Sequence, residues 1–468
     1  MSVPRTAEAD PTAARYGRGY PWWVMGIVAL GLIAAILPSS SFVVAIPALM
    51  AEFHVSQEDT HLIVTAFMVA NTIAMLPSPW LIQRFGIRRC FIWTMMVLLA
   101  TSVAGVFSPS YGFLIVVRMI QGAGTGTLMP LGSIVVMRMF HPTRQGHASG
   151  ILGLAVTLAP AVAPALGGVI IDHAGWRLVS LMPIPFGLLA WAGAVRLLPK
   201  TASHEEGRFD ATGMALLSLL TLGWLGAVSL SPLGGWARIM AIACAAAAVL
   251  SALAFLHHAR RAPKPLIALD VLARHRVRMG AVVNFILGFG TYGSSFLVPV
   301  YLQAAQGMSA TRAGAALMPS SFALAMSFPV AGFLLDWMSP RLVIILGMAM
   351  FCLTWALLGG LSAHLGYFGF IALVGASRIG HGFATTPMSQ AALVDLHGGA
   401  LGQASTVLNY VRQLGGVFGV AALAMFVEWR HAGLGGNAWA LARAYDETFF
   451  LVAVVSALSL WAAWRLRD

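Results

Sequence analysis

The chain has 468 residues, of which 59% are hydrophobic and only 9% charged, and it carries a formal charge of +12. So small a charged fraction excludes a sizeable water-soluble domain, and the basic excess is spread over many short connectors, which argues against a nucleic-acid-binding surface. Cys90, Cys244 and Cys352 are widely separated in apolar surroundings, so they supply neither a disulfide framework nor a metal site.

The first 21 residues are polar and read as a cytoplasmic tail. A helix needs roughly 20 mostly apolar residues to cross a bilayer, and fourteen such stretches follow. The first seven are 22–47, 59–79, 89–107, 111–140, 146–171, 176–198 and 209–230. The second seven are 236–256, 279–302, 313–335, 342–361, 366–396, 402–427 and 449–466. The first is too long for the apolar core of a cleaved signal peptide and is expected to be retained. Twenty of the 28 Lys and Arg residues fall on one set of alternate connectors and five on the other. Basic residues are retained on the cytoplasmic side, so the count predicts a bacterial inner-membrane protein with both termini in the cytoplasm.

Three segments recur at nearly one offset. Pro79 to Arg88 recurs as Gly332 to Arg341, an offset of 253; Arg118-Met119-Ile120-Gln121-Gly122 recurs as Arg378-Ile379-Gly380-His381-Gly382, with Thr125 matched by Thr385, at 260. Gly146-His147-Ala148-Ser149 recurs as Gly402-Gln403-Ala404-Ser405 at 256. The expected organisation is therefore a tail (1–21), an N-terminal six-helix bundle (22–198), a linker with two additional transmembrane helices (199–278) and a C-terminal six-helix bundle (279–468). Pseudo-symmetric halves of this kind are a property of secondary transporters, whose substrate site lies between the halves near the midplane.

With the repeated turn on the page, the chain resembles the major facilitator superfamily, and its span count resembles the fourteen-span drug:proton antiporter branch. The family turn Gly-x-Leu-x-Asp-Arg-x-Gly-Arg-Arg is matched at Leu81, Arg84, Phe85, Gly86, Arg88 and Arg89, while Pro79 replaces the first Gly and Gln83 the Asp. The fourth-span motif Arg-x-x-Gln-Gly-x-Gly is matched at Arg118, Gln121, Gly122 and Gly124. A fifth-span antiporter motif survives as Pro164, Gly167 and Gly168, with Ala159 and Ala163 where the family has Gly. The branch's first-span Asp is missing; Pro38 precedes Ala45-Ile46-Pro47 instead. The resemblance implies an all-α major facilitator fold, no enzymatic activity and no cofactor. It implies proton-coupled efflux of amphipathic drugs by alternating access, in a monomer that also meets a periplasmic adaptor protein.

Charged residues in an apolar span are costly and need a partner or water. Arg118, Arg378 and Arg412 are therefore expected to line a cavity or, alternatively, to pack helices through hydrogen bonds. Asn71, Gln121, Asn284, Asn409 and Gln413 are expected to join them. All 16 acidic residues fall at span ends or in loops, so no embedded carboxylate is available for proton coupling. His381, the counterpart of Gln121, titrates near neutrality when unperturbed and is the first substitute; Glu58 and Asp59 are second. Ser39, Ser40 and Ser41 after Pro38 suggest a hinge beside a water-filled path. Arg84, Gly86, Arg88, Arg89, Asp336 and Arg341 are expected at a cytoplasmic gate, with Gly86 permitting a tight bend. The three embedded arginines also motivate a second reading, an exporter or facilitator of organic anions without carboxylate-based coupling.

Two motifs are decoys. Gly122-Ala123-Gly124-Thr125-Gly126 follows no strand, so close helix approach explains it better than dinucleotide binding. Lys200, the only lysine followed by Ser or Thr, is preceded by Pro199, so no P-loop exists and ATP is not the power source.

Overall fold

The structure, a computed structural model, describes residues 17–55, 57–199, 209–230, 235–263, 265–308, 316–362, 364–396 and 398–465. Residues 1–16 of the expected tail, and Lys200, lie outside them.

The described elements are helices throughout. In chain order they are α1 (Tyr20–Phe53), α2 (Gln57–Met75), α3 (Ser78–Val106), α4 (Tyr111–Thr125), α5 (Leu128–Met139), α6 (Pro142–Ala174) and, after the 3-10 helix Trp176–Leu181, α7 (Pro183–Leu197). There follow α8 (Ala211–Leu230), α9 (Trp236–Arg261), the short α10 (Leu269–Ala273), α11 (His275–Ala304), α12 (Leu317–Leu334), α13 (Pro340–Leu361), α14 (Tyr367–Leu393), α15 (Gly398–Gly433) and α16 (Ala438–Trp464). Every apolar stretch read from the sequence carries helix. Among the described residues, ten helical segments are long and apolar enough to cross a membrane.

The ends of these helices follow from local chemistry. Proline occupies the first turn of α1, α3, α7 and α13, where its missing N–H costs no hydrogen bond. Side-chain oxygens of Ser110, Ser339 and Asn437 accept from the first free amides of α4, α13 and α16. Several helices run past the expected spans, among them α16, which begins at Ala438 where the sequence reading has 449, and two internal breaks differ as well. The stretch 111–140 is divided at Gly126 and Thr127, just after the glycine run, into α4 and α5. The expected turn after Pro79 is itself helical, and the bend is confined to Gly86, whose φ of 80° and ψ of 160° interrupt α3.

Two compact units divide the chain: residues 1–214 with 396–406, and residues 215–395 with 407–468. Within the first, α1 packs on α7, α2 on α4, and α3 on both α4 and α7. Within the second, α11 packs on α16, α12 on α14, and α13 on both α14 and α16. The same set of pairings is thus built twice. The core of the first unit is apolar side chains such as Val28, Leu32, Phe91, Met95 and Leu131; that of the second includes Phe351, Trp355 and Phe449, all fully buried.

Glycines let several helices meet backbone to backbone, as small residues do in membrane bundles. A Cβ on Gly122 would lie 2.3 Å from the Phe67 carbonyl oxygen, and one on Gly126, just past the end of α4, would lie 2.4 Å from that of Asn71, so α4 and the break after it rest directly on α2. In the second unit Gly288 meets the Arg412 carbonyl and Gly415 that of Phe285, joining α11 to α15. The two helices of the linker also belong to this unit for most of their length. α8 holds α15 through a hydroxyl pair, Thr221 with Tyr410 at 2.8 Å, and through Trp224 stacked on Phe418 at 3.5 Å.

At the end of α1, Glu52 is bound by Arg177 at 2.5 Å and by the Trp176 indole N–H. The indole hydrogen bond, ahead of the Arg177 contact, holds the Glu52 carboxyl below the usual carboxylate range.

Replacing Gly415 with Ala puts a methyl about where the Phe285 carbonyl stands, 2.0 Å away, and is expected to lower stability by about 1–3 kcal/mol, read as a fall in unfolding temperature in detergent. The depressed Glu52 carboxyl gives a pH-dependent stability with a definite sign. Its contribution is present above the ordinary carboxylate pKa and is lost as pH falls through the lower folded value. The stability difference between wild type and Glu52→Gln, at most about 1 kcal/mol for so exposed a contact, should therefore shrink on acidification; a difference that grows would contradict this assignment.

Candidate functional site

Arg118 and Gln121 lie three residues apart on α4 and so share one face of that helix. Both are buried. Arg118 Nη1 donates to Gln121 Oε1 at 2.7 Å, and Nη2 donates to the carbonyl oxygen of Pro38 on α1 at 3.3 Å. The guanidinium carbon stands 4.4 Å from the ring centroids of both Phe42 and Phe67, a cation–π cradle that replaces part of the lost hydration. Gln121 Nε2 passes the chain on to Ser102 Oγ at 3.2 Å. Thr125, one turn along α4, donates to the Gln121 carbonyl and accepts from Asn71 Nδ2 at 3.0 Å.

Two polar atoms in this cluster are buried without a hydrogen-bond partner: Arg118 Nε and Ser180 Oγ. Both residues line a cavity of about 10 Å³, space for about one water.

The second unit repeats the arrangement with different side chains. Arg378 Nη1 donates to the carbonyl oxygen of Thr291 on α11 at 3.2 Å, and Nη2 donates to Ser295 Oγ at 2.9 Å. His381, in the place of Gln121, is bonded through Nδ1 to Thr291 Oγ1 at 2.7 Å and through Nε2 to Thr385 Oγ1 at 3.1 Å. Thr385 also donates to the His381 carbonyl, as Thr125 does to that of Gln121. Pro38 and Thr291 are 253 residues apart, and so are Phe42 and Ser295. That is the offset of the repeated turn. The two buried arginines therefore tie α4 to α1 and α14 to α11 through carbonyls at matched positions.

Hydroxyls both donate and accept, so Thr291 and Thr385 satisfy the imidazole in its neutral form and, as acceptors, would also serve the imidazolium. Arg412 is held by Asn409 Oδ1 at 2.7 Å on its own helix. Asn284 is less connected: its amide donates one turn back to the Gly280 carbonyl at 2.9 Å. Gln413 is half-buried one residue beyond Arg412.

The turn residues take distinct positions. Arg84 is exposed, with its guanidinium 5.8 Å from the Trp80 ring. Arg88 Nη2 donates to the Val195 carbonyl in the last turn of α7, where unpaired carbonyls and the helix dipole favour a cation. Arg89 and Asp336 are exposed, and Arg341 lies 5.9 Å from the Trp464 ring. Gln83, where the family pattern has Asp, touches the start of α15 at Gly399. Gly167 is buried against Ser41 of α1 and Gly168 is half-buried. The side chains of Pro164, Ser39, Ser40, Glu58 and Asp59 lie outside the described residues.

Sequence reasoning missed the acceptors. Pro38 contributes a backbone oxygen, which no residue type announces. Ser180, Phe42 and Phe67 read as ordinary span residues. Thr291 and Ser295 carry a findable signal, two hydroxyls four apart in an apolar span at the repeat offset from Pro38 and Phe42.

The Major Facilitator Superfamily pattern matches residues 28–420. The chain is 31% identical over 349 residues to the tetracenomycin C resistance and export protein of Streptomyces glaucescens, covering 74% of this chain and 64% of that one. To the multidrug resistance protein B homolog of Mycobacterium tuberculosis (strain H37Rv) it is 26% identical over 422 residues, covering 86% and 76%. Its backbone is similar to that of the major facilitator proton:xylose symporter XylE, with a TM-score of 0.67 at 13% identity over 96% of both chains.

The bonding pattern predicts opposite outcomes for two neighbours of Arg118. Gln121→Leu removes the acceptor of a charged donor and should cost about 1.5–3 kcal/mol. Ser180→Ala removes an unpartnered hydroxyl and should be neutral within about 0.5 kcal/mol or stabilising. Thermal unfolding of the two purified variants checks both; a larger loss for Ser180→Ala would refute the assigned bonding.

Proposed function

This chain belongs to the Major Facilitator Superfamily, and from that premise we propose that it is a proton-coupled exporter of amphipathic drugs or other toxic small molecules. It is a multi-pass membrane transporter of small molecules with the all-helical fold of that family, a non-enzyme class. The finer reading has fourteen spans with both termini in the cytoplasm of a bacterial inner membrane. It has two six-helix bundles, residues 22–198 and 279–468, with the linker helices between them, and a monomer that works with a periplasmic adaptor.

The observation that carries this reading is the twice-built arginine cluster. Burying a guanidinium in an apolar bundle is costly unless it is hydrogen-bonded, and here it happens at the matched position of each unit, against matched carbonyls of α1 and α11. Export as the direction is supported by relatives whose names describe resistance and export. In this reading Arg118, Gln121, Asn71, Arg378, Arg412, Asn409, Asn284 and Gln413 line the transport route. Arg84, Gly86, Arg88, Arg89, Asp336 and Arg341 serve the cytoplasmic gate, and Pro164, Gly167 and Gly168 the helix packing. His381 carries the coupling proton. Its two hydroxyl partners support this, since they accommodate the ring with one N–H or two.

A membrane potential of 100 mV supplies about 2.3 kcal/mol per charge moved, enough for about fifty-fold accumulation. The second reading, transport of organic anions without carboxylate-based coupling, is favoured by one feature: the hydrogen-bond and ring partners described above for Arg118, Arg378 and Arg412 are neutral oxygens and aromatic faces.

Cells expressing the protein should accumulate a cationic dye several-fold less than cells lacking it, and a protonophore should erase the difference. In proteoliposomes, substrate should stimulate proton flux in the wild type and His381→Ala should abolish it. Substrate exchange that persists without proton flux would favour the anion reading. Unchanged dye accumulation in both Arg118→Ala and His381→Ala would defeat the proposal.

A further inference from the structure

One end of the second unit gathers arginines and tryptophans from three helices. His275 Nε2, in the first turn of α11, is bonded to the carbonyl oxygen of Arg465, just past the end of α16, at 2.7 Å. The Arg465 guanidinium lies 5.1 Å from the Trp461 ring, and that of Arg341, in the first turn of α13, lies 5.9 Å from the Trp464 ring. Arg274 and Arg278, one helical turn apart at the start of α11, are both exposed. Of the carboxylates near these arginines in sequence, Asp395 is already taken by Arg276 at 2.8 Å, which leaves, among the described residues, Asp270 and Asp336 against Arg274, Arg278, Arg341 and Arg465.

We propose that this end of the second unit binds the phosphodiester headgroup of an anionic phospholipid. The inference rests on the membrane placement proposed above, with this end at the cytoplasmic surface.

Three arguments favour a lipid as the occupant. Trp461 and Trp464 are 54% and 64% exposed, and exposed tryptophan is enriched at the headgroup level of a bilayer. Stacking over these rings holds the guanidinium groups at that depth, where an arginine fork takes two oxygens of one phosphate. Most specifically, the exposed face of α16 continues from this cluster as Leu458, Val454 and Phe450, all more than half exposed. At spacings of three and four residues these side chains share one helix face, an apolar track ending at Arg465. A free phosphate would use the arginines and leave the track unused; an acylated one uses both.

Native mass spectrometry of the purified protein, titrated with phosphatidylglycerol or phosphatidylcholine, tests the site without reference to transport, so its failure and the failure of the transport reading are distinguishable. Phosphatidylglycerol should be retained preferentially. Arg274→Gln with Arg465→Gln should weaken its retention on the order of ten- to thirty-fold, while Arg238→Gln, on the far end of α9, should leave it unchanged. Should the double Gln variant fail to fold, Arg274→Lys with Arg465→Lys keeps the charge but loses the fork, and an intermediate loss is expected. Equal retention of the two lipids, wild-type retention by the double variants, or full displacement of phosphatidylglycerol by millimolar inorganic phosphate would overturn the proposal.

Discussion

A guanidinium inside an apolar helix bundle must be surrounded by groups that replace water, and much of this molecule is arranged around that requirement. Arg118 obtains a side-chain oxygen from its own helix, a backbone oxygen from α1 and two aromatic faces. Those contacts demand that α1, α2 and α4 come close. The glycines of α4 make this possible by letting its backbone rest on the carbonyls of Phe67 and Asn71. Packing and polarity are thus one problem with one solution: the residues that allow close approach bring the acceptors within reach of the charge.

The second unit solves the same problem with a different inventory. Arg378 finds Ser295 where Arg118 finds Phe42, and His381 replaces Gln121. The exchange turns an amide network, which cannot titrate, into one with an imidazole between two hydroxyls. The two clusters are alike in geometry and unlike in chemistry, so an imidazole stands in one unit and an amide at the matched position of the other.

How far the sequence foretold this depends on the kind of signal. Helices were legible because apolar runs of bilayer length have few other fates, and each of the fourteen stretches carries helix. The repeat was legible because Arg, Gln or His, and Thr recur in one order. Less legible was whatever depends on the main chain: the break between α4 and α5, the confinement of the bend to Gly86, and the Pro38 carbonyl as an acceptor. Polar residues alone also misjudge connection. Asn284 reads like a site residue, yet its bond closes on its own helix at Gly280, while Ser180 reads as ordinary and stands beside the buried arginine's cavity.

The choice of a backbone oxygen as the anchor for each arginine has an evolutionary consequence. A carboxylate partner would be lost by a single codon change, whereas a main-chain carbonyl persists whatever side chain its residue bears. The position tolerates different side chains as far as the tether is concerned: one copy carries proline there and the other threonine, whose hydroxyl has a second task at His381, yet both arginines keep their carbonyl. Side chains at the anchoring position can thus differ between the two copies without dismantling the scaffold that holds each buried charge.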